Sequence, residues 1–240
     1  MKDLAFFLIL SLFSEILGTV GGFGSSVFFV PIAGLYLDFH SVLGITAIFH
    51  LSSNISKIAL FRKGIDKQLL INFGIPAVLF VILGAWLSNK FDSKVLEFGL
   101  SIFLIVLSVL FLLFRNWVIK PTKTNSLLGG GISGFVAGLV GTGGAIRGMT
   151  LTAFNMEKEA FIATSALIDF AIDLSRSGVY VYNGYVHKHD LYLIPFLLGV
   201  GFLGTYIGKK ILNFIPQQTF KTIVLFLILV IGCASLIKVI

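Results

Sequence analysis

Charge is scarce in this 240-residue chain. Asp, Glu, Lys and Arg make up 12% of it, about half the usual quarter. Hydrophobic residues are 57% before the 26 glycines are counted, and a soluble domain of this size needs more polar surface than that leaves. Cysteine is limited to Cys233, inside the last apolar run, which excludes an intrachain disulfide or a cysteine-based metal site. No Gly-Lys-Ser/Thr follows either of the chain's glycine clusters, so nucleotide phosphate binding is unsupported. Disorder is excluded as well, because disordered chains are poor in aromatics and this one has 25 Phe. These absences describe an all-α integral membrane protein surrounded by the lipid bilayer. Its net charge of +7 would suggest nucleic acid in a soluble protein. In a membrane protein it reflects Lys and Arg held on the cytoplasmic side, and no nucleic-acid partner is expected.

A helix needs about 20 apolar residues to cross a bilayer. Apolar segments bounded by charge or turn residues run over 4–20, 24–37, 42–61, 69–88, 94–114, 127–141, 145–155, 160–181, 191–208 and 219–237. About eight to ten transmembrane segments are therefore expected. The chain starts Met1-Lys2-Asp3 and turns apolar at Leu4 without a small-x-small cleavage site, so the first segment is expected to be a span and not a removed leader. The one linker-like stretch, Arg115 to Ser126, lies at the midpoint.

The two halves resemble each other. GTVGGFGS at 18–25 matches GLVGTGGA at 138–145 with an offset of 120, pairing Gly18, Gly21 and Gly24 with Gly138, Gly141 and Gly144. GITA at 44–47 matches ATSA at 163–166, Pro76 matches Pro195, and GAWLSNK at 84–90 matches GTYIGKK at 204–210. The expected organisation is a first repeat over 1–118 and a second over 119–240, together one membrane domain. Five segments per half make the repeats inverted. If all ten cross and the loop with Arg62, Lys63 and Lys67 is inside, ten basic residues lie inside against five outside. If each glycine-broken pair crosses once, the count is nine to six. The positive-inside rule favours the inverted arrangement.

The segments after the glycine clusters are short for spans, reaching only ~21 and ~17 Å as helices. Paired short, glycine-interrupted segments at matching places in two halves are the signature of discontinuous helices at a transporter site. Gly21, Gly22 and Gly24, with Gly141, Gly143 and Gly144, allow the positive φ that such a break requires. The half-helices beyond them would turn free N–H groups toward an anion near the midplane. Tight helix packing is the competing reading, and it is the preferred one for Gly130, Gly134 and Gly138.

Arg147 follows Gly144 by three residues. Its planar fork suits a sulfonate, carboxylate or phosphate, and a structural ion pair with Asp169 or Asp173 is the alternative. The first half has Val27 at this place. His50, Asn54 and Lys57 are spaced i, i+4, i+7 on one helix face, and Asp169, Asp173 and Arg176 repeat that spacing 119 residues on. Charges in spans face the protein interior, so these stripes either line a substrate or proton path or satisfy one another. Lys57, near a helix end, is read as a residue that can snorkel. Glu15 lies one turn before Gly18 and its mate position is Phe135. It is read as a proton-coupling group or as a partner of His50 or Arg147. His187, Lys188, His189 and Asp190 read as a solvated loop ahead of a weak metal site. No metal-ligand set or nucleophile–base pair appears, so neither an enzyme nor a cofactor is expected.

The two glycine-rich breaks, the GxxxG-like fourth span of each half and the eight-to-ten-span length resemble the sulfite exporter TauE/SafE family, also called toluene sulfonate uptake permeases. Its pattern is a glycine cluster followed by a proline that starts a short apolar run. The first half keeps it as Gly21-Gly22-Phe23-Gly24 and Pro31. The second half has Gly143-Gly144, with Leu151 in place of the proline and Arg147 added. The resemblance spans essentially the whole chain. It implies secondary export of sulfite, sulfoacetate or other organosulfonates across a prokaryotic plasma membrane. The full expectation is alternating access by rocking of two inverted repeats. Substrate would be held by Gly21, Gly22, Gly24, His50, Asn54, Gly141, Gly143, Gly144 and Arg147. Glu15, Asp169, Asp173 and Arg176 would serve proton coupling or ion pairing, and a homodimer is allowed. The rivals are a cation- or proton-linked permease using the intramembrane carboxylates, and a non-transporting membrane scaffold.

Overall fold

Helices form wherever an apolar run is bounded by charge or turn residues. The computed structural model describes residues 2–22, 24–61, 64–113, 119–212, 214 and 217–240. Phe23, Arg62, Lys63 and Arg115, which entered the sequence arguments, lie outside the described residues, as does part of the midpoint linker. In chain order the helices are α1 (Lys2–Gly21), α2 (Ser26–Ala33), α3 (Phe39–Leu60), α4 (Lys67–Ser88), α5 (Ser93–Leu113), α6 (Lys123–Val140), α7 (Gly144–Thr152), α8 (Lys158–Tyr182), α9 (Leu193–Ile211) and α10 (Gln217–Val239). No strand occurs among the described residues. Five helices there, α1, α3, α4, α5 and α9, are long and apolar enough to cross a membrane.

Local chemistry sets several of the boundaries. Asp38 caps α3 by accepting from His40 N at 3.0 Å, and Thr122 caps α6 by accepting from Asn125 N at 3.2 Å. Within α4, Leu70–Gly74 widens into a π turn immediately before Pro76. Proline cannot donate to the ladder and crowds the carbonyl four residues back, and one wide turn removes both conflicts.

The two segments expected to be short are shorter still. As helices of eight and nine residues, α2 and α7 reach about 12–14 Å, under half of a ~30 Å hydrocarbon core. The rings of Phe7 and Tyr36 lie 5.1 Å apart, so the chain runs in along α1, turns after Gly21 and returns to the end it came from. On the other side, a methyl at Gly129 would lie 2.5 Å from Thr150 Oγ1, so α7 returns along α6. Each glycine-broken pair is a hairpin, not one interrupted crossing.

Polar contacts sort the loops to two ends. At the first, Lys209 Nζ donates to Leu60 O (2.6 Å) and Asp66 N to Thr164 Oγ1 (3.0 Å). At the second, Ser41 Oγ bonds His187 Nδ1 (2.7 Å), and Lys238 Nζ meets Gly34 O (2.5 Å) and Glu97 Oε1 (2.7 Å). These are called the Gly64 end and the Tyr185 end. Their composition follows the ten-crossing charge count, with Lys67, Lys158, Lys209 and Lys210 at the Gly64 end and Lys90, Lys188 and Lys238 at the other.

Packing partners come in sets. Helix α4 packs on α6 and α1 on α9; α3 packs on α8, flanked by α9 on α3 and α4 on α8; α5 packs on α10. The α4–α6 contact is backbone against backbone. Methyls placed on Gly130, Gly134 and Gly138 would lie 2.2, 2.1 and 2.2 Å from the carbonyl oxygens of Phe73, Ala77 and Val81. This glycine stripe is a packing seam, the role preferred for it on sequence grounds. Gly204 and Gly208 of α9 instead seat the side chains of Glu15 and Thr19 of α1. Outward faces carry Phe6, Ile9, Leu79, Trp86 and Phe202, each about half exposed or more, as lipid contact requires. Gly134→Ala should therefore destabilise the protein by roughly 1–3 kcal/mol through overpacking, whereas Gly199→Ala, which meets nothing within 4 Å, should not. Melting temperatures of the two variants in detergent check this.

Candidate functional site

The centre of the molecule is where the two breaks face each other. Gly22 and Gly24 have φ of +69° and +80°, and Gly141 has +84°, conformations open to glycine at little cost. Each broken helix leaves carbonyls without partners at membrane depth, where water cannot satisfy them. Protein side chains do so for α6. Arg176 Nη1 donates to Ala137 O (3.0 Å) and Gly141 O (2.7 Å), and Tyr180 Oη donates to Gly138 O (2.6 Å).

Around this point the stripes of α3 and α8 meet face to face. Asn54 Nδ2 donates to Asp173 Oδ2 at 2.7 Å, so a residue touches its own sequence mate 119 positions away. Arg176 Nε and Nη2 lie 2.8 and 2.7 Å from Asp173 Oδ1. Arg147 Nη1 pairs with Asp169 Oδ1, and its Nε donates to Ser165 Oγ at 2.7 Å. A methyl on Gly24 would lie 3.3 Å from Arg147 Nη2, so the guanidinium on α7 faces the opposite break.

Glu15 is fully buried on the α1 side. Its partner is neither Arg147 nor, directly, His50. Lys57 Nζ lies 2.7 Å from Glu15 Oε1 and also donates to Ser53 Oγ at 2.7 Å. Ser53 and Ser25 donate to Glu15 at 2.5 Å each, Thr19 at 3.1 Å and Thr205 at 3.2 Å. Ser25 then bridges to His50 Nε2 at 3.2 Å. Lys57 does not snorkel. It is 7% exposed because a buried carboxylate stands within reach, and an ion pair closed in protein outweighs the distance to water. Breaking such a pair from one side costs about 3–5 kcal/mol.

A polar cavity of about 20 Å³ lies between these groups, room for about one water. Of the residues expected at the site, Gly24, His50, Asn54, Gly141, Gly143, Gly144, Arg147, Asp169, Asp173 and Arg176 line it. Glu15 stands behind Lys57 and does not. Gly21 and Gly22 line a separate outer cavity, because α1 carries them to the Gly64 end before the chain turns back. Three cations, Lys57, Arg147 and Arg176, line the central cavity against two carboxylates, and Glu15 behind them brings the cluster to charge balance. His187, His189 and Asp190 gather their ligand atoms within 4.8 Å at the Tyr185 end. His187 is held there by Ser41, about 13 Å along α3 from His50.

Sequence reasoning missed the hydroxyls. Ser165 and Tyr180 each sit four residues from a charged neighbour on α8, Ser53 four residues before Lys57 on α3, and Ser25 directly after the first break. Helical spacing from the charged residues finds all but the last.

No curated protein and no solved structure shows a detectable match to this chain. A protein-family model does match, that of the sulfite exporter TauE/SafE, over residues 7–235. The match takes in both breaks, both polar stripes and all five candidate spans apart from the first turn of α1, and the chain therefore belongs to the sulfite exporter TauE/SafE family of membrane transporters.

Proposed function

We propose that the protein is a secondary transporter that exports sulfite, sulfoacetate or other small organosulfonates across a prokaryotic plasma membrane, with the central cavity as its anion site. The observation that carries this reading is Arg147. Its guanidinium is 2% exposed, stands at the start of one half-helix and faces Gly24 of the other break. Five donors in a planar fork suit the oxygens of a sulfonate or sulfite, and backbone N–H groups at the breaks add to them. Among the cavity's charged groups Arg147 is the guanidinium that faces the opposite break, and a donor fork turned to the cavity favours an anion over a cation as cargo.

Residues 1–118 and 119–240 form two inverted repeats on this reading. Its support is the Asn54–Asp173 contact, since a residue meets its own mate only near an axis relating the halves. The antiparallel run of α1 and α6 supports it too. The Gly64 end, richer in Lys, is cytoplasmic.

Charge balance gives proton coupling a physical basis. An anion that takes Arg147 from Asp169 leaves that carboxylate buried and unpaired, which is costly. A proton on Asp169 removes the cost, so anion and proton occupy the site together, and the anion's own outward gradient sets the direction of export. Alternating access then exposes the pair to each side in turn.

Three outcomes are expected. Arg147→Ala should abolish the rise in melting temperature given by millimolar methanesulfonate or sulfite, while the unliganded protein still elutes as a single species; retained binding would remove the site. Methanesulfonate, whose charge is constant near neutrality, should bind more weakly as pH rises, by up to about tenfold per unit. That dependence should vanish in Asp169→Asn, read by titration calorimetry at several pH values. Glu15→Gln should lower the melting temperature yet leave methanesulfonate affinity within about twofold, as a partner of Lys57 remote from the anion would.

A further inference from the structure

We propose that the outer cavity beside Phe161 is the entry chamber of the transport site, a weak binding site for small amphiphilic anions, and that Phe161 resting on Gly22 is the gate between chamber and site. This rests on the anion-transport reading and adds the route and the residue that controls it.

The chamber holds about 230 Å³, enough for a small organosulfonate that the 20 Å³ central cavity does not admit. All of its walls come from the Gly64 end: the last turn of α1, the α7–α8 turn, the first turn of α8 and Leu212. It shares Gly22, Phe161 and Ile162 with a narrow cleft of about 20 Å³. That cleft shares Gly24, Lys57, Arg147 and Asp169 with the central cavity. The three spaces form one line from the Gly64 end to the Arg147–Asp169 pair. Toward the Tyr185 end the way is filled by Val27, Phe28, Phe29 and Val30, each 1% exposed or less.

Phe161 stands across this line. A methyl at position 22 would lie 2.6 Å from Phe161 Cε1, so the ring rests on bare backbone at a residue with φ +69°. Glycine at 22 serves two ends there: it permits the turn and it gives the ring its seat. Rotation of one side chain about χ1 joins chamber and cleft without moving a helix, a motion far faster than transport itself.

The chamber walls indicate what it takes. Lys158 supplies a positive charge, and Thr152 and Asn155 supply hydrogen-bonding groups. Val20, Met156 and Leu212 supply an apolar side. Asn155 is held there by a left-handed turn at φ 48°, which asparagine tolerates. An anion with a short hydrocarbon body meets both kinds of surface, whereas sulfite meets only the charge. The chamber therefore favours organosulfonates over sulfite before the central site is reached.

The test places a thiol beyond the gate. In a Cys233→Ser background, Ala166→Cys puts the thiol in the cleft, and a membrane-impermeant maleimide is applied to sealed vesicles of known orientation. Phe161→Ala should speed labelling from the Gly64 end by about tenfold or more while leaving any labelling from the Tyr185 end within about twofold. An unchanged rate from the Gly64 end in Phe161→Ala, or an equal acceleration from both ends, overturns the proposal. Should Ala166→Cys fail to fold, stopped-flow binding of methanesulfonate to Phe161→Ala decides: both association and dissociation should accelerate with the dissociation constant held within about twofold. Unchanged rates there sink the gate. Lys158→Gln should weaken the uptake KM for an alkylsulfonate more than that for sulfite, and equal effects remove the chamber's selectivity. If Arg147→Ala still binds anions while Phe161→Ala still speeds labelling, the substrate reading falls and the gate stands. If Arg147 is required but labelling ignores Phe161, the gate alone falls.

Discussion

A helix interrupted inside a bilayer must find partners for its exposed backbone groups within the protein, and the centre of this molecule is organised around that requirement. Arg176 takes Gly141 O and joins the Gly141 amide on Ala137 O, Tyr180 takes Gly138 O, and Arg176 in turn needs Asp173, which engages Asn54 of α3. On the α1 side, Ser25 just beyond the break donates to Glu15, and Glu15 holds Lys57. The polar groups of this cluster hold one another in place. The central cavity is the small space left where the two chains of obligation meet.

The two sides meet this requirement differently. Glu15 stands opposite Phe135 in the sequence comparison, and Arg147 opposite Val27. The α1 side uses a carboxylate ringed by hydroxyls and closed by a lysine; the α6 side uses arginines bound to carbonyls and aspartates. The cavity between them has one face whose charge is enclosed and another whose guanidinium is turned to it.

Much of this was legible in the sequence because it rests on spacing and composition. The ten apolar runs became ten helices, the glycine clusters became turns, and the stripes at 50/54/57 and 169/173/176 faced inward because charge does not face lipid. Partner choice was not legible. Whether Glu15 would meet Arg147, His50 or Lys57 depends on how α1 sits against α3, which no periodicity specifies. Lys57 near the end of its helix read as a snorkelling residue, since its carboxylate partner is 42 positions away in sequence. The placing of Gly21 and Gly22 on the outer cavity and of Gly24 on the central one, with the narrow cleft touching both Gly22 and Gly24, turns on a single sharp bend.

The glycine seams join helices from different halves of the chain: α4 to α6, and α1 to α9. Rocking of residues 1–118 against 119–240 as two rigid bodies would tear Gly134 from Ala77 and Gly204 from Glu15, so any moving unit contains helices of both halves. The same seams set an order for biosynthesis. Glu15 is completed by Thr205, 190 residues later, so α1 enters the membrane before the surface it packs against has been made. Until α9 arrives, α1 depends on its nearer neighbours, Ser25, Ser53 and Lys57, to keep a carboxylate in the bilayer.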